Sequence, residues 1–444
     1  MQDKDRLGHT MSTLITGTTA GEIADSVRSL RDRGLLSPGE LLPSVRDLAT
    51  LLGVNRNTAA SAYQQLAAAG LVVSRGRAGT TLAAADRGPQ EGYSPGTVLR
   101  DIGTGNPDPA RIPDPARALT AAAGRPVLYG EPVIDQDLEA WALNWVEADL
   151  APETVRITVT SGAVDAVERL LAQALMRDDA VALEDPCFLS SIHTVRLGGY
   201  RAIRVPVDDE GMTVDGLRKA LDAGIRALIC TPRAQNPTGA NLSPRRAAEL
   251  RALLADHPYV LIVEDDHFSL LAQHPYESLI SADHERFALV RSVSKFLGPD
   301  MCLAVAATDP TTADRLAMRL SPGTTWVSHL LQRLTYAQLS DEAVRASIAD
   351  AGRHYAARNA AFVARLSALG LTVTAGDGLN LWVGLPIPAR TVVERLMRRG
   401  WLARTGDEFA LDAEGPSHHL RLTVHDLSDA DAALLATDLA DAVS

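Results

Sequence analysis

The sequence predicts a multidomain protein: a small, mainly α head that closes on a β-ribbon, then a large α/β body built on a mostly parallel sheet. Three observations carry that division. A chain of 444 residues is longer than one core organises. Its first 82 residues hold nine basic and seven acidic side chains, yet the whole stands at −12, so the remainder carries a net −14. From about Arg156 onward, short apolar runs alternate with helical segments, the pattern of strands sandwiched by helices.

Composition narrows the class. Hydrophobic content of 46% with 22% charged residues describes an ordinary globular protein. Apolar runs never approach the ~18 residues of a membrane span. Met1-Gln-Asp-Lys-Asp-Arg6 lacks the apolar core of a secretory signal. Cys187, Cys230 and Cys302 form neither a metal spacing nor a disulfide framework. A soluble protein of the reducing cytoplasm, with no membrane partner and no metal, is expected.

The head reads in order over residues 1–83. Thr19-Ala-Gly-Glu22 is a capping box, and Ile23, Val27 and Leu30 follow on one helical face until Gly34. Ser44 caps a second helix, whose stripe is Val45, Leu48, Ala49 and Leu52 and whose stop is Gly53. Asn55 caps a third, with Ala59, Ala62, Tyr63 and Leu66 inward and Gly70 as its end. Two short β runs then flank Arg75-Gly-Arg-Ala-Gly79. This is the layout of a winged helix-turn-helix.

Chemistry follows from what the head exposes. Arg56, Asn57 and Thr58 fall on the first turn of the third helix, where side chains meet base edges; arginine suits guanine and asparagine adenine. Ser44 and Arg46 suit phosphates at a helix N-terminus. Arg75, Arg77 and Gly79, on the glycine-rich tip, suit the DNA backbone or the minor groove. Each arginine alone reads equally well as a solvated charge; on one face together they favour double-stranded DNA. Leu42-Pro-Ser-Val-Arg-Asp-Leu-Ala49, Leu52-Gly-Val-Asn-Arg-Asn-Thr58 and Arg75-Gly-Arg-Ala-Gly-Thr80 resemble the DNA-binding domain of the GntR family of bacterial regulators.

Residues 84–100 have no apolar period and read as a flexible linker to the body, 101–444. In the body, Ile157–Thr160, Val181–Leu183, Ala227–Cys230, Val260–Val263, Phe287–Val290 and Leu303–Ala307 read as strands. Ligands of such sheets sit at the carboxyl ends of the strands, and the distinctive polar residues fall there. Lys295 follows the strand at Phe287. The chain has only two other lysines, Lys4 and Lys219, and uses arginine elsewhere. A lysine here is a chemical choice, because a desolvated amine forms a Schiff base and a guanidinium does not. Asp265 closes another strand and needs a cationic partner such as a pyridinium N–H. Asn236, in Asn236-Pro-Thr-Gly239, suits a ring oxygen; Phe188 suits a flat ring or plain core; Thr160-Ser-Gly-Ala163 opens a helix that suits a phosphate.

Together these are the parts for pyridoxal 5'-phosphate. Their order resembles fold-type I aminotransferases, with a smaller C-terminal α/β subdomain, and behind a GntR-like head the chain resembles the MocR branch of that family. The resemblance gives Lys295 the Schiff base, Asp265 the ring nitrogen, Asn236 the ring oxygen and Phe188 the ring face. It gives Ser161, Gly162, Ala163 and Ser292 the phosphate, with Tyr129 lent by the other subunit of a homodimer. Arg421 matches the arginine that grips a substrate or effector carboxylate. Two departures stand out. The arginine that neutralises the phosphate falls on Cys302, leaving Arg291 or another arginine to substitute. A ring-oxygen tyrosine falls on His267, expected to titrate near neutral pH.

Three functions share these parts. In the leading one the head reads an operator and the body senses pyridoxal phosphate or a small amino compound through Lys295. The alternatives are a working aminotransferase with an appended head, and a DNA-binding dimer whose cofactor site has decayed.

Overall fold

A computed structural model describes residues 14–74, 79–82, 91–94, 96–151, 154–321, 323, 325–371, 373, 376–411 and 415–444. The chain divides into two units, Met1–Pro89 and Gln90–Ser444. In the first, α1 (Ala20–Asp32), α2 (Val45–Leu52) and α3 (Arg56–Ala68) start at the expected caps. Glu22 N donates to Thr19 Oγ1 at 3.3 Å while its carboxylate accepts from Thr19 N, so the capping box is complete. Gly53 ends α2 in the left-handed region at φ +66. Ile23, Val27, Leu30, Leu48, Ala59, Ala62 and Leu66 form the core; Val45 and Leu52 are only half-buried at its edge. The ribbon pairs β1 (Val72–Ser74) antiparallel to β2 (Thr80–Leu82). Gly79 is required by the backbone at the end of the tip. It lies at φ +91, and a Cβ there would stand 2.8 Å from Leu41 Cδ1.

The second unit opens on β3 (Arg100–Asp101), which pairs parallel to β13 (Trp401–Leu402). Its main sheet has eight strands: β4 (Arg156–Thr160), β5 (Ala180–Asp185), β6 (Arg201–Asp208), β7 (Gly211–Met212), β8 (Ala227–Cys230), β9 (Leu261–Asp265), β10 (Phe287–Ser292) and β11 (Ala304–Thr308). Their spatial order is β4-β11-β10-β9-β8-β5-β6-β7. From β6 through β5, β8 and β9 to β10 every pair is parallel, and β11 runs antiparallel to both its neighbours. Side chains alternate between two cores, as a period of two requires. Leu228, Ile262 and Leu289 face one; Ile229, Val263 and Val290 face the other. The C-terminal subdomain is a three-stranded antiparallel sheet of β12 (Asn380–Gly384), β15 (His419–Thr423) and β14 (Arg404–Thr405), covered by helices Ala389–Met397 and Asp429–Val443. Among the described residues no helix is long and apolar enough to cross a membrane, and no cluster could hold a metal.

Two expectations need correction. Strand β6 was not foreseen, because Arg201, Arg204 and Pro206 interrupt its apolar period; only Val205 is buried. The segment 84–100 is not a free tether throughout. Residues 83–90 lie outside the described ones, but 91–94 are fastened to the body: Gly92 N donates to Thr104 O and Ser94 N to Asp101 Oδ2, both at 2.8 Å.

The sheet is locked by a buried charge cluster just beyond β9. Asp266, with no exposed surface, accepts from Arg233 Nε and Nη2 and from Arg291 Nε, each at 2.8 Å. Burial opposes its charge, but the two guanidiniums outweigh burial and hold the pKa below that of a free aspartate. Replacing Asp266 with Ala removes the carboxylate that pairs Arg233 and Arg291. We expect a loss of about 3–5 kcal/mol, read as a lower denaturant midpoint at unchanged slope. A shift below about 1 kcal/mol would reduce the cluster to surface-like worth.

Candidate functional site

The carboxyl ends of β4, β8, β9 and β10 converge on one cavity of about 260 Å³. Lys295 reaches it from the short helix Ser294–Leu297, directly after β10. Its Nζ donates to the Gly105 carbonyl at 2.8 Å. Burial pulls its pKa below that of an ordinary lysine, against Glu91 and Asp265, which favour the charge. The balance leaves an amine more readily freed of its proton.

Asp265, the last residue of β9, lines the same cavity. Burial, then the adjacent Asp266 charge, raises its pKa to about 7, with Lys295 pulling the other way. Its Oδ1 is buried and has no hydrogen-bond partner among the described residues. Such a carboxyl lacks a donor, and a protonated ring nitrogen is one. Asn236 and Phe188 stand on the walls, Phe188 half-buried. Ser161, Gly162, Ala163 and Ser292 also gather there. Gly162 lies at φ +99, and no side chain caps the helix Ala163–Ala174 that follows, so its first turn offers backbone N–H groups to an anion. Ser292 Oγ lies 2.7 Å from Ser294 Oγ. The residues present fit a flat, phosphorylated pyridine aldehyde.

Three site expectations change. His267 lines the cavity, but burial first, and the Lys295 charge second, lower its pKa to about 4, so it is neutral where near-neutral titration was expected. Arg291 cannot replace the missing phosphate arginine: it is fully buried and committed to Asp266, Asp149 and the Trp145 carbonyl. Cys302 faces the cup instead, its thiol donating to Ser161 O at 3.2 Å. Arg421 on β15 is not open to a ligand. Both its terminal nitrogens hold the Glu91 carboxylate, Nη2 to Oε2 at 2.6 Å, and Nη2 also donates to Gly103 O at 2.6 Å. Asn236 Nδ2 adds a bond to Glu91 Oε1 at 3.0 Å. Burial alone would raise the Glu91 pKa, yet Arg421, with Lys295 and Asn236, holds it at about 2.

Glu91 is a cavity-lining residue that sequence reasoning missed; its only signal was a carboxylate in an aperiodic polar run. Thr231, Ser294 and Pro299 also line the cavity. Tyr129 does not: it is 93% exposed, its ring 5.5 Å from that of Trp326. Lys219, in the last turn of helix Val214–Asp222, is exposed and does not line the cavity. In the head, Arg46, Arg56 and Asn57 are exposed and Thr58 half-buried. Ser44 is occupied as the cap of α2, its hydroxyl 2.7 Å from Asp47 Oδ2. Arg75 and Arg77 lie outside the described residues.

Comparison with known proteins divides the chain in the same way. Residues 101–437 match the family "Aminotransferase class I and II", and residues 19–82 match "Bacterial regulatory proteins, gntR family". The vitamin B6 salvage pathway transcriptional repressor PtsJ of Salmonella typhimurium is 44% identical over 432 residues, covering 97% of this chain and all of that one. The pyridoxine biosynthesis transcriptional regulator PdxR of Corynebacterium glutamicum is 29% identical over 56% of each chain. Among solved structures, a kynurenine aminotransferase of Pyrococcus horikoshii superposes with a TM-score of 0.69 at 20% identity, over 78% of this chain and 91% of that one. That likeness speaks for the fold.

Asp265 predicts a pH signature. Its folded pKa, about 7, lies above the ordinary 3.8, so folding favours the protonated form. Its contribution is intact below about 4 and is lost as pH rises through about 7. Without cofactor, wild type should lose up to about 4 kcal/mol more than Asp265→Asn over that range. Parallel denaturant titrations check this; identical pH profiles would contradict it.

Proposed function

The chain belongs to the MocR branch of the gntR family of bacterial regulators, an aminotransferase class I and II body behind a DNA-binding head, and we propose that it is a transcription regulator sensing pyridoxal phosphate. The observation that carries the reading is the meeting of Lys295 with the unpartnered Asp265 in one cavity. The vitamin B6 role in the Salmonella relative's name points to the same ligand.

When bound, pyridoxal phosphate supplies an aldehyde that condenses reversibly with a primary amine and a ring that draws electrons. Lys295 Nζ presents that amine, kept reactive by burial. Of the residues lining the cavity, Asp265 would hold the ring-nitrogen proton, and Asn236 and neutral His267 would serve the ring oxygen. Phe188 would cover the ring. Ser161, Gly162, Ala163 and Ser292 take the phosphate through hydroxyl and backbone donors. With Cys302 in place of a guanidinium, the cup lacks one charge-assisted contact, which weakens phosphate binding by about ten- to a hundredfold. The proposed working unit is a homodimer in which Tyr129, exposed and outside its own subunit's cavity, serves the neighbour's phosphate, and whose two heads read two half-sites of an operator through Arg46, Arg56 and Asn57. Sensing requires that the cofactor bind the DNA-competent arrangement and its alternative with different affinity.

Titration of pyridoxal phosphate into wild type and Lys295→Ala, followed by absorbance and by binding to the DNA upstream of the chain's own gene, tests this. Wild type should develop an imine band and change its DNA affinity together; Lys295→Ala should lose the band and the coupled change. Wild type with no band at saturating cofactor would overturn the proposal.

A further inference from the structure

A carboxylate seat beside the cavity is already filled from within the chain. Arg421 has no exposed surface, and the Glu91 side chain is 18% exposed, standing between the guanidinium and the cavity. The contact is built rather than incidental. Gly105, at φ +63, passes so close that a Cβ would stand 2.7 Å from Glu91 Oε2. Gly92 is held from both sides, its N–H on Thr104 O and its carbonyl accepting from Arg404 Nη2 at 3.2 Å. The terminal nitrogens of Arg421 are spent on Glu91, Gly103 O and Asn236 Oδ1. A second carboxylate can dock there only by expelling the first.

We infer that Glu91 is a specificity-determining residue: a tethered carboxylate that occupies the Arg421 seat and restricts the pocket to ligands lacking a carboxylate, such as the vitamer itself or a simple amine, excluding α-amino acids. The inference rests on the cofactor reading above and adds what the pocket refuses. Because Glu91 is covalently attached and its segment fastened, a free carboxylate competes against an effective concentration in the millimolar range or above. Removing the charge at position 91 should therefore improve binding of a free carboxylate by about tenfold or more.

Two arms on the full-length protein test it. Without cofactor, Glu91→Ala should melt below wild type and recover in sodium acetate but not in sodium chloride of equal ionic strength, because acetate restores the lost side-chain carboxylate. With pyridoxal phosphate bound, L-alanine and ethylamine are titrated into wild type and Glu91→Gln while the cofactor band and DNA affinity are followed. Wild type should respond to ethylamine and not to L-alanine, whereas Glu91→Gln should respond to L-alanine at concentrations at least about tenfold lower than any wild-type response. Wild type responding to both alike would overturn the inference, as would a Glu91→Ala protein indifferent to acetate. Should neither protein take up cofactor, the sensing proposal fails while the acetate arm still decides on the seat; should Glu91→Ala fail to fold, Glu91→Gln replaces it in that arm.

Discussion

The parallel pairing of β9 with β10 is the constraint on which the pocket depends. Val290 stands opposite Asp265, and the Asp266 N–H donates to the Val290 carbonyl at 2.9 Å. That register brings the end of one strand level with the end of the next, so a carboxyl and an amine from distant parts of the chain face the same space. A slip by one residue would exchange Asp265 with Asp266 between the two faces of the sheet. The guanidiniums of Arg233 and Arg291, gathered on Asp266, oppose that slip, since it would leave them buried without their anion.

Three consecutive acids at this strand end illustrate how environment divides one residue type among tasks. Glu264 points into a nest of Tyr276, Ser278 and the Leu279 N–H, and burial raises its pKa to about 7. Asp266 is kept ionised by arginine. Asp265 alone has an oxygen left over. Alternation of the strand separates the three, and the separation assigns the cavity to the middle one.

Much of this was legible before the structure. The caps Thr19, Ser44 and Asn55 mark where helices begin, and fully apolar runs mark strands covered on both faces. The scarcity of lysine singled out Lys295, and its strand-end company with Asp265 and Asn236 pointed to one ligand. What escaped shares a physical cause. Strand β6 lies near the sheet edge, where polar residues are tolerated and the apolar signal fades. Glu91 finds Arg421 some 330 positions away in the chain, a distance over which no local pattern speaks. The His267 shift comes from burial, which a tripeptide window does not reveal.

The exposed position of Lys219, and the distance in sequence between it and Lys295, bear on how the protein meets aldehydes in general. Reactive carbonyl compounds mark primary amines without much discrimination, and most protein surfaces offer dozens. Among the described residues this chain offers two, one of them recessed in a shaped cavity. Among those residues the exposed amine is Lys219 alone, so within them an optical signal from a carbonyl ligand has one competing address besides the cavity.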